Sequence, residues 1–490
     1  MRTYARLADA DLTGPLPFAL LSLVFLLTRA PFLDYGHGTD PDAWRVALTA
    51  HHLLDTGDYF PSRLPGNPLH ELLMTLFIPG GWIATNLATA LASLAGVYLF
   101  ARIVKLHELP NAAVLVIAYA FAPLLFINSI ATMDYMWALT AILGAYYCQV
   151  TGRPLWAGVL LGCAVGFRLQ SAVVWAPLAY LAWRAGRSRD IAPMTLASGG
   201  VTLLCFAPVL AVYGLDFFNY YDAKVGATEV LRLVGKEALG IVGGIGVAAG
   251  LLISLPRFRR LPADLRHSAA VGAWAAIIAL DLVSFSRLPH EVAYLIPVFP
   301  FGLLIMGRYF TRLAIAGSVA AILLAGVVDV TTPGDELTSA SIRNATIGKG
   351  LILSNADTMD AQRRFVDQVI AAEVPDHSVV MTGFIFPQLA VRERGRLDAR
   401  ILSRDFGAIS MLADRGEAVD EPRDVRYVWL VSYDNYLALR DQGYRMFMVP
   451  DAARSTASLY EYRPGLLGAV YLRLDLESPT VGGGSGSTDR

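Results

Sequence analysis

Charge is what this sequence has least of. Asp, Glu, Lys and Arg make up only 17% of its 490 residues and nearly cancel, to a formal net charge of −1. Such a chain offers no basic face to nucleic acid. Cysteine is just as scarce: Cys148, Cys163 and Cys205 all fall inside apolar runs, which speaks against a disulfide framework and makes them small hydrophobes. There is no tandem repeat. What the chain has in abundance is apolar side chains, at 55% of residues with a mean hydropathy of +0.48. No ordinary soluble domain of this length carries that much, so the sequence reads as a polytopic α-helical membrane protein.

Crossing about 30 Å of hydrocarbon takes roughly 20 apolar residues, because a helix there satisfies its own backbone polar groups. Eleven stretches are candidates: 15–33, 81–101, 112–128, 135–150, 155–167, 172–183, 192–213, 238–255, 268–285, 293–307 and 313–328. The first follows Arg2 and Arg6, lacks a clear small-x-small cleavage pattern, and reads as a retained signal anchor. The fifth and sixth are each short. Taken as a hairpin broken near Arg168, they leave the basic connectors Arg102/Lys105, Arg153, Arg184/Arg187/Arg189, Arg257/Arg259/Arg260/Arg266 and Arg308/Arg312 on one side with the N-terminus, as the positive-inside rule asks. That parity puts the loop after the first span, the 131–136 turn, the 286–294 turn and everything after Val328 outside.

The opening outer loop, 34–80, holds "GTDPDAWRVALTAHHLLDTGDYFPSRLPGNPLHELL". A helix is expected over 43–54, capped by Asp42. Ala43, Val46, Ala47, Ala50, Leu53 and Leu54 share one of its faces, and Arg45, Thr49 and His52 another. The segment 68–78, ended by Pro79-Gly80-Gly81, is too short to span and reads as a helix lying at the interface. The membrane module is thus expected over 1–330. Beyond it, short β-branched runs ("HSVVMTGF", "RYVWLVS", "RMFMVP") alternate with helical stretches ("DAQRRFVDQVIAAE", "DNYLALRDQG"), which predicts a C-terminal extracytoplasmic α/β domain over 331–480. The glycine-rich end, 481–490, is a flexible tail.

The few titratable groups gather on the outer side: Asp40 and Asp42, Asp134 in "SIATMDYMWAL", Arg168 at the hairpin break, and "SRLPHEVAYLIPVFP" at 286–300. Ionisable groups at membrane depth are costly unless paired or wet, which makes them functional candidates. In order, spacing and side, these elements resemble the GT-C superfamily of membrane glycosyltransferases, of the protein O-mannosyltransferase and aminoarabinose transferase type. "PDAWRVA" is similar to its first acidic motif, "SRLPGNPLHELL" to the arginine-and-proline turn opening the second interfacial helix, "ATMDYM" to the second acidic position, and "PHEVAYLIPVFP" to the H-x-x-x-Y-L-x-P segment. The resemblance covers about 15–330. It departs in one respect: the first acid is often followed by a second, whereas Ala43 follows Asp42 and Asp40 lies upstream.

The resemblance implies transfer of a sugar from a polyprenyl-phosphate-linked donor to a lipid, glycan or protein acceptor, with inversion at the anomeric carbon. Such a reaction needs a carboxylate to take the acceptor proton and cations where the lipid phosphate departs. Asp42 is the first choice as base, with Asp40 open beside it, and Asp134 orients the acceptor or holds a basic partner. Arg168, Arg287, His290, Tyr294 and Arg63 are the candidates for the donor phosphate, and His70 and Glu291 for substrate contact. Each has a plainer reading. Asp42 caps its helix, Asp40 forms a turn with Pro41, Arg168 snorkels to headgroups, and Arg63 and His70 anchor the interface. No cofactor is required, although Asp40 and Asp42 leave a divalent cation open. The alternative function is a transporter or flippase of lipid-linked saccharides, against which stands the lack of two matching halves with broken helices. The expected location is a bacterial inner membrane, with the donor lipid, the acceptor and membrane lipids as partners.

Overall fold

The computed structural model describes residues 7–59, 61–63, 65–214, 232–287, 292–332 and 343–371, and beyond them 378–381, 386–392, 401–404, 427–430, 446–448 and 458–460. The chain divides into two compact units. One is Met1–Thr39 with Thr49–Met359; the other is Asp40–Leu48 with Asp360–Arg490.

The larger unit is helical. Its order runs α1 (Pro15–Arg29), α2 (Pro41–Thr56, of which 49–56 belong here), α3 (Pro68–Phe77), α4 (Gly81–Leu106), α5 (Ala112–Phe121), α6 (Pro123–Asn128), α7 (Tyr135–Val150) and α8 (Pro154–Phe167). There follow α9 (Trp175–Arg184), α10 (Ile191–Tyr213), α11 (Ile241–Phe258), α12 (Leu261–His267), α13 (Ala269–Arg287), α14 (Val298–Tyr309) and α15 (Arg312–Ala325). A two-stranded antiparallel ribbon, β1 (Val328–Thr331) with β2 (Thr346–Lys349), leads into α16 (Leu351–Ala371), which ends in the second unit. Pro15, Pro68, Pro123 and Pro154 stand in the first turns of their helices. Proline suits that position because its missing N–H is one of the orphan donors and its φ is already helical.

Among the described residues, five helical stretches are long and apolar enough to cross a membrane: Pro15–Phe32, Pro68–Leu106, Ser188–Ala211, Ile241–Phe258 and Ala269–Ser286. Their outward faces are apolar, with Leu20, Leu23, Leu27, Leu196, Leu203, Leu204, Leu252 and Ile253 all exposed. Exposed leucine on this scale is tolerable only against lipid, and the chain is a polytopic α-helical membrane protein.

Several expected boundaries shift for local reasons. The 112–128 run is two helices, because Pro123 holds Ala122 extended (φ −58°, ψ 136°). The 238–255 helix starts only at Ile241, after Gly240 at φ +75°; there the Asp329 carboxylate in β1 accepts the Ile241 and Val242 N–H groups, each at 2.9 Å. The helical run does break at Arg168, whose backbone is extended between α8 and a 3₁₀ turn over Leu169–Val174. The helix expected at 43–54 begins two residues earlier, with Pro41 first. Its cap is Asp40, not Asp42: Asp40 Oδ1 accepts the Asp42 N–H at 2.8 Å. Its buried face also differs, since Thr49 is buried and Leu54 is half exposed.

One pairing in this unit is unusually close. Gly158, Gly162 and Gly166 recur every fourth residue along α8. A Cβ on Gly158 would lie 2.3 Å from the Met194 carbonyl oxygen, one on Gly162 2.6 Å from Val201 Cβ, and one on Gly166 2.6 Å from Cys205 Sγ. The backbone of α8 therefore lies directly against the Met194 and Ser198 carbonyls and the small side chains of α10, the small-residue packing that stands in for hydrophobic drive inside a bilayer.

The second unit contains a five-stranded sheet in the order β4 (Ile401–Arg404), β3 (Ser378–Met381), β5 (Tyr427–Leu430), β7 (Ser458–Tyr460), β6 (Met446–Met448), with α17 (Phe386–Arg392) between β3 and β4 in sequence. β3 pairs parallel with β4 and β5; β7 runs antiparallel to β5 and β6. The three predicted β-runs are β3, β5 and β6; the stretch "DNYLALRDQG" and the tail lie outside the described residues.

Candidate functional site

The site of the larger unit is built around Asp134. This residue closes the turn before α7 and is fully buried, yet its carboxylate makes no cap bond to that helix. Oδ2 instead accepts from Arg168 Nη1 at 2.7 Å, and Arg63 Nη2 lies 3.6 Å from Oδ1. Burial alone would push the Asp134 carboxyl up, but Arg168, Arg63 and His70 outweigh it and hold it below the usual carboxylate range.

Each partner is held in place by its own local structure. Arg168 projects from the break after α8 between two aromatic rings, its guanidinium carbon 4.2 Å from the Tyr135 centroid and 4.3 Å from that of Tyr294. Stacking of this kind fixes the plane of a guanidinium. Tyr294 sits in a short 3₁₀ turn, Val292–Leu295, that precedes α14. Arg63 lies in the turn before α3, and Glu71 pins that turn: its carboxylate takes the Tyr59 and Ser62 hydroxyls and the Ser62 N–H. Gly66 closes the same turn at φ +88°, where a side chain would strike Pro61 and Tyr59. On α3, His70 and Glu71 face inward while Leu72 and Leu76 are exposed, so this helix is polar inside and apolar outside. Both ring nitrogens of His70 lack a hydrogen-bond partner among the described residues, and its ring meets the edge of Trp137 at 6.2 Å.

The turn that carries Asp134 is anchored by a second buried network. His37 Nδ1 lies 2.9 Å from Thr132 Oγ1 and 3.2 Å from Thr85 Oγ1; Thr132 donates to Asn86 Oδ1 and, through its N–H, to the His37 carbonyl. Burial, reinforced by His51, lowers the His37 ring to about 3, so it serves as a neutral strut.

The structure thus brings together Asp134, Arg168, Arg63, Tyr294 and His70 of the sequence candidates. Asp40 and Asp42 belong to the other unit. There Asp42, in the first turn of α2, pairs with Arg45 at 2.9 Å while Asp40 caps the helix. Arg287 is the last residue of α13, and His290 and Glu291 lie outside the described residues. Among the described residues no three His, Cys, Asp or Glu side chains gather as a metal site.

One residue beside the cluster escaped the sequence reading. Asp281, in the middle of α13, is 1% exposed, and its Oδ2 has no hydrogen-bond partner among the described residues. It lines a small cavity with Arg168, Tyr135 and Tyr294. The signal was present in the sequence: a single acid in the apolar run "AIIALDLVSF" is what the cost of buried charge in a membrane should mark.

No protein-family model matches the chain, and no curated protein matches it. Solved structures do. ArnT from Cupriavidus metallidurans in the apo state superposes with a TM-score of 0.55 at 14% identity, over 90% of this chain and 96% of that one. The same protein bound to undecaprenyl phosphate gives a TM-score of 0.53 at 15% identity, over 94% and 100%. The present chain therefore shares the fold of ArnT.

Proposed function

We propose that the chain moves a sugar from a polyprenyl-phosphate-linked donor to a lipid, glycan or protein acceptor at the outer face of a bacterial inner membrane. The observation that carries this reading is the Arg63–Asp134–Arg168 cluster: two half-buried guanidiniums on one buried carboxylate, held at the ends of apolar helices, in a fold shared with ArnT, which was solved with undecaprenyl phosphate. Eleven spans, with the sheet-bearing unit outside, are part of the proposal.

Arg168 and Arg63 grip the donor phosphate, exchanging part of their pairing with Asp134 for bonds to phosphate oxygens. Guanidiniums suit this because they hold two oxygens at once and keep their charge when buried. As the glycosidic C–O bond breaks, negative charge grows on the departing lipid phosphate, and preorganised cations stabilise it without rearranging. Asp134 keeps the two arginines apart and aimed, and the Tyr135 and Tyr294 rings hold Arg168 in plane. Arg287 and His290 are assigned further phosphate contacts, and His70 and Glu291 contacts to substrate, all from their motifs. The base that removes the acceptor proton is assigned to Asp42 on its motif, since Asp40 is engaged as a helix cap; attack from the face opposite the phosphate gives inversion.

The test uses purified protein in nanodiscs with labelled polyprenyl-phosphate monosaccharides and a membrane extract as acceptor. Label should leave the lipid carrier. Arg168→Gln should slow transfer by about 10²- to 10³-fold, Asp42→Asn by about 10²- to 10⁴-fold, and Asp40→Asn far less. Transfer at full rate in the Arg168→Gln protein, or label that only changes leaflet while still on its lipid, overturns the reading. Transfer should also persist with a strong chelator present; its loss would put a divalent cation on Asp40 and Asp42.

A further inference from the structure

Asp281 stands in the buried stripe of α13, in helical register with Trp274, Ile277 and Phe285, all of them 2% exposed or less. A leucine would pack in that stripe as well, so the carboxylate has a use other than filling space. Among the described residues its Oδ2 has no hydrogen-bond partner, although buried polar atoms in folded proteins almost always have one. The turns over Leu169–Val174 and Val292–Leu295 both pack on α13. Asp281 lines a cavity of about 10 Å³ there together with Arg168, Gln170, Ser171, Tyr135 and Tyr294. That is room for one water, which needs about two to four polar partners.

We propose that one water sits in this cavity and joins Asp281 to Arg168, which makes Asp281 a positioning residue for the guanidinium. The inference rests on the transferase reading above, where Arg168 is the cation assigned to the donor phosphate. A guanidinium has five N–H donors. The Tyr135 and Tyr294 rings fix its plane, and Asp134 takes Nη1, but among the described residues nothing takes the remaining donors. A plane and one bond still leave the group free to pivot within that plane. A water that accepts from a second N–H and donates to Asp281 Oδ2 supplies another fixed point and satisfies the orphaned carboxylate oxygen. Gln170 and Ser171 supply the water's remaining bonds. When phosphate takes the place of Asp134 on Nη1, the tie through the water stays, and the guanidinium keeps its aim. The role calls for an oxygen at position 281 rather than for a charge.

The experiment compares Asp281→Leu with Asp281→Asn. Wild-type protein in nanodiscs is first given polyprenyl-phosphate hexoses, pentoses and hexosamines to find an accepted donor, and the variants are then measured on it. Both substitutions remove the carboxylate's charge, so charge cancels from the comparison; only asparagine keeps an oxygen for the water. Asp281→Leu should lower kcat about tenfold, and Asp281→Asn should recover most of that loss. In an Arg168→Gln background Asp281→Leu should cost nothing further, since the residue acts through the arginine. A wild-type structure at a resolution that shows waters should place one about 3 Å from both Asp281 Oδ2 and an Arg168 nitrogen.

Equal rates in the two variants, or a tenfold loss that persists undiminished in the Arg168→Gln background, overturn the inference while leaving the transferase reading intact. So does a wild-type structure without that water, which decides the matter even where the leucine variant fails to insert. A wild-type protein that uses none of these donors overturns the transferase reading and this inference together.

Discussion

Arg29 is buried and Arg168 half-buried in the larger unit, and the two are held differently. Arg29, at the end of α1, is 1% exposed and wholly occupied by neutral groups. It donates to the Ser129 hydroxyl and to the carbonyls of Phe25 and Ala120, and its guanidinium carbon lies 3.4 Å over the Phe25 ring and 4.3 Å from that of Phe126. Arg168 also lies between rings, but its direct polar partner is an anion, Asp134, at 2.7 Å, and it borders a cavity. The first arginine is a bolt: no ligand can improve on carbonyls already in place. The second holds a carboxylate that a phosphate can replace in kind. Burial alone does not mark a functional cation; the exchangeability of its partner does.

The sharpest way to break this contrast is to remove each arginine. Arg168→Gln should abolish most transfer and also lower the thermal unfolding midpoint in detergent, because it strips buried Asp134 of its nearest cation; adding Asp134→Asn should restore the midpoint and leave transfer lost. Arg29→Met should act on stability alone, destabilising the protein by about 2 kcal/mol as its carbonyl and hydroxyl partners lose their donor, with unchanged specific activity in what remains folded. If Arg29→Met kills transfer without loss of stability, the distinction is wrong.

Asp134 gives the next largest effect and a pH signature. Its carboxyl is held below its ordinary value in the folded protein, so the stability it contributes is full above the unfolded value near 4 and is lost as pH falls through the lower, folded one. Melting curves from pH 6 downward should therefore fall more steeply for wild type than for Asp134→Asn, which has no proton to gain there. Smaller still, Asp40→Ala should cost about 1 kcal/mol through the lost helix cap and Asp40→Asn almost nothing. Lys105→Ala, which removes an exposed pair with Asp11 at 2.7 Å, should change stability by no more than about 0.5 kcal/mol.

The sequence was most legible where one physical rule acts alone. The apolar runs follow from the cost of unsatisfied backbone in lipid, and the break at Arg168 from the side on which the basic connectors must fall. It was least legible where two rules compete. Asp40 and Asp42 both suit a helix start, and proline's preference for the first position settled the cap on Asp40. Asp281 was hidden because hydropathy averaging absorbs one acid into an apolar window. His37, Thr85, Asn86 and Thr132, which hold the Asp134 turn, are separated by up to 95 residues, so no local pattern could reveal them. In the second unit, β3, β5 and β6 lie in apolar runs, whereas β4 ("ILSR") and β7 ("SLY") mix polar and apolar residues and went unread.

The glycine contact between α8 and α10 bears on how Arg168 could ever move. Two rods in which only the short side chains of one stand against the bare backbone of the other have little cushion to absorb a shear, so neither slides easily without the other. The guanidinium at the end of α8 is in effect cantilevered from a double beam, and its aim depends on the stiffness of that beam as well as on the residues that touch it. Thickening the seam by a single methyl, even far down the helix from any substrate, would swing the tip.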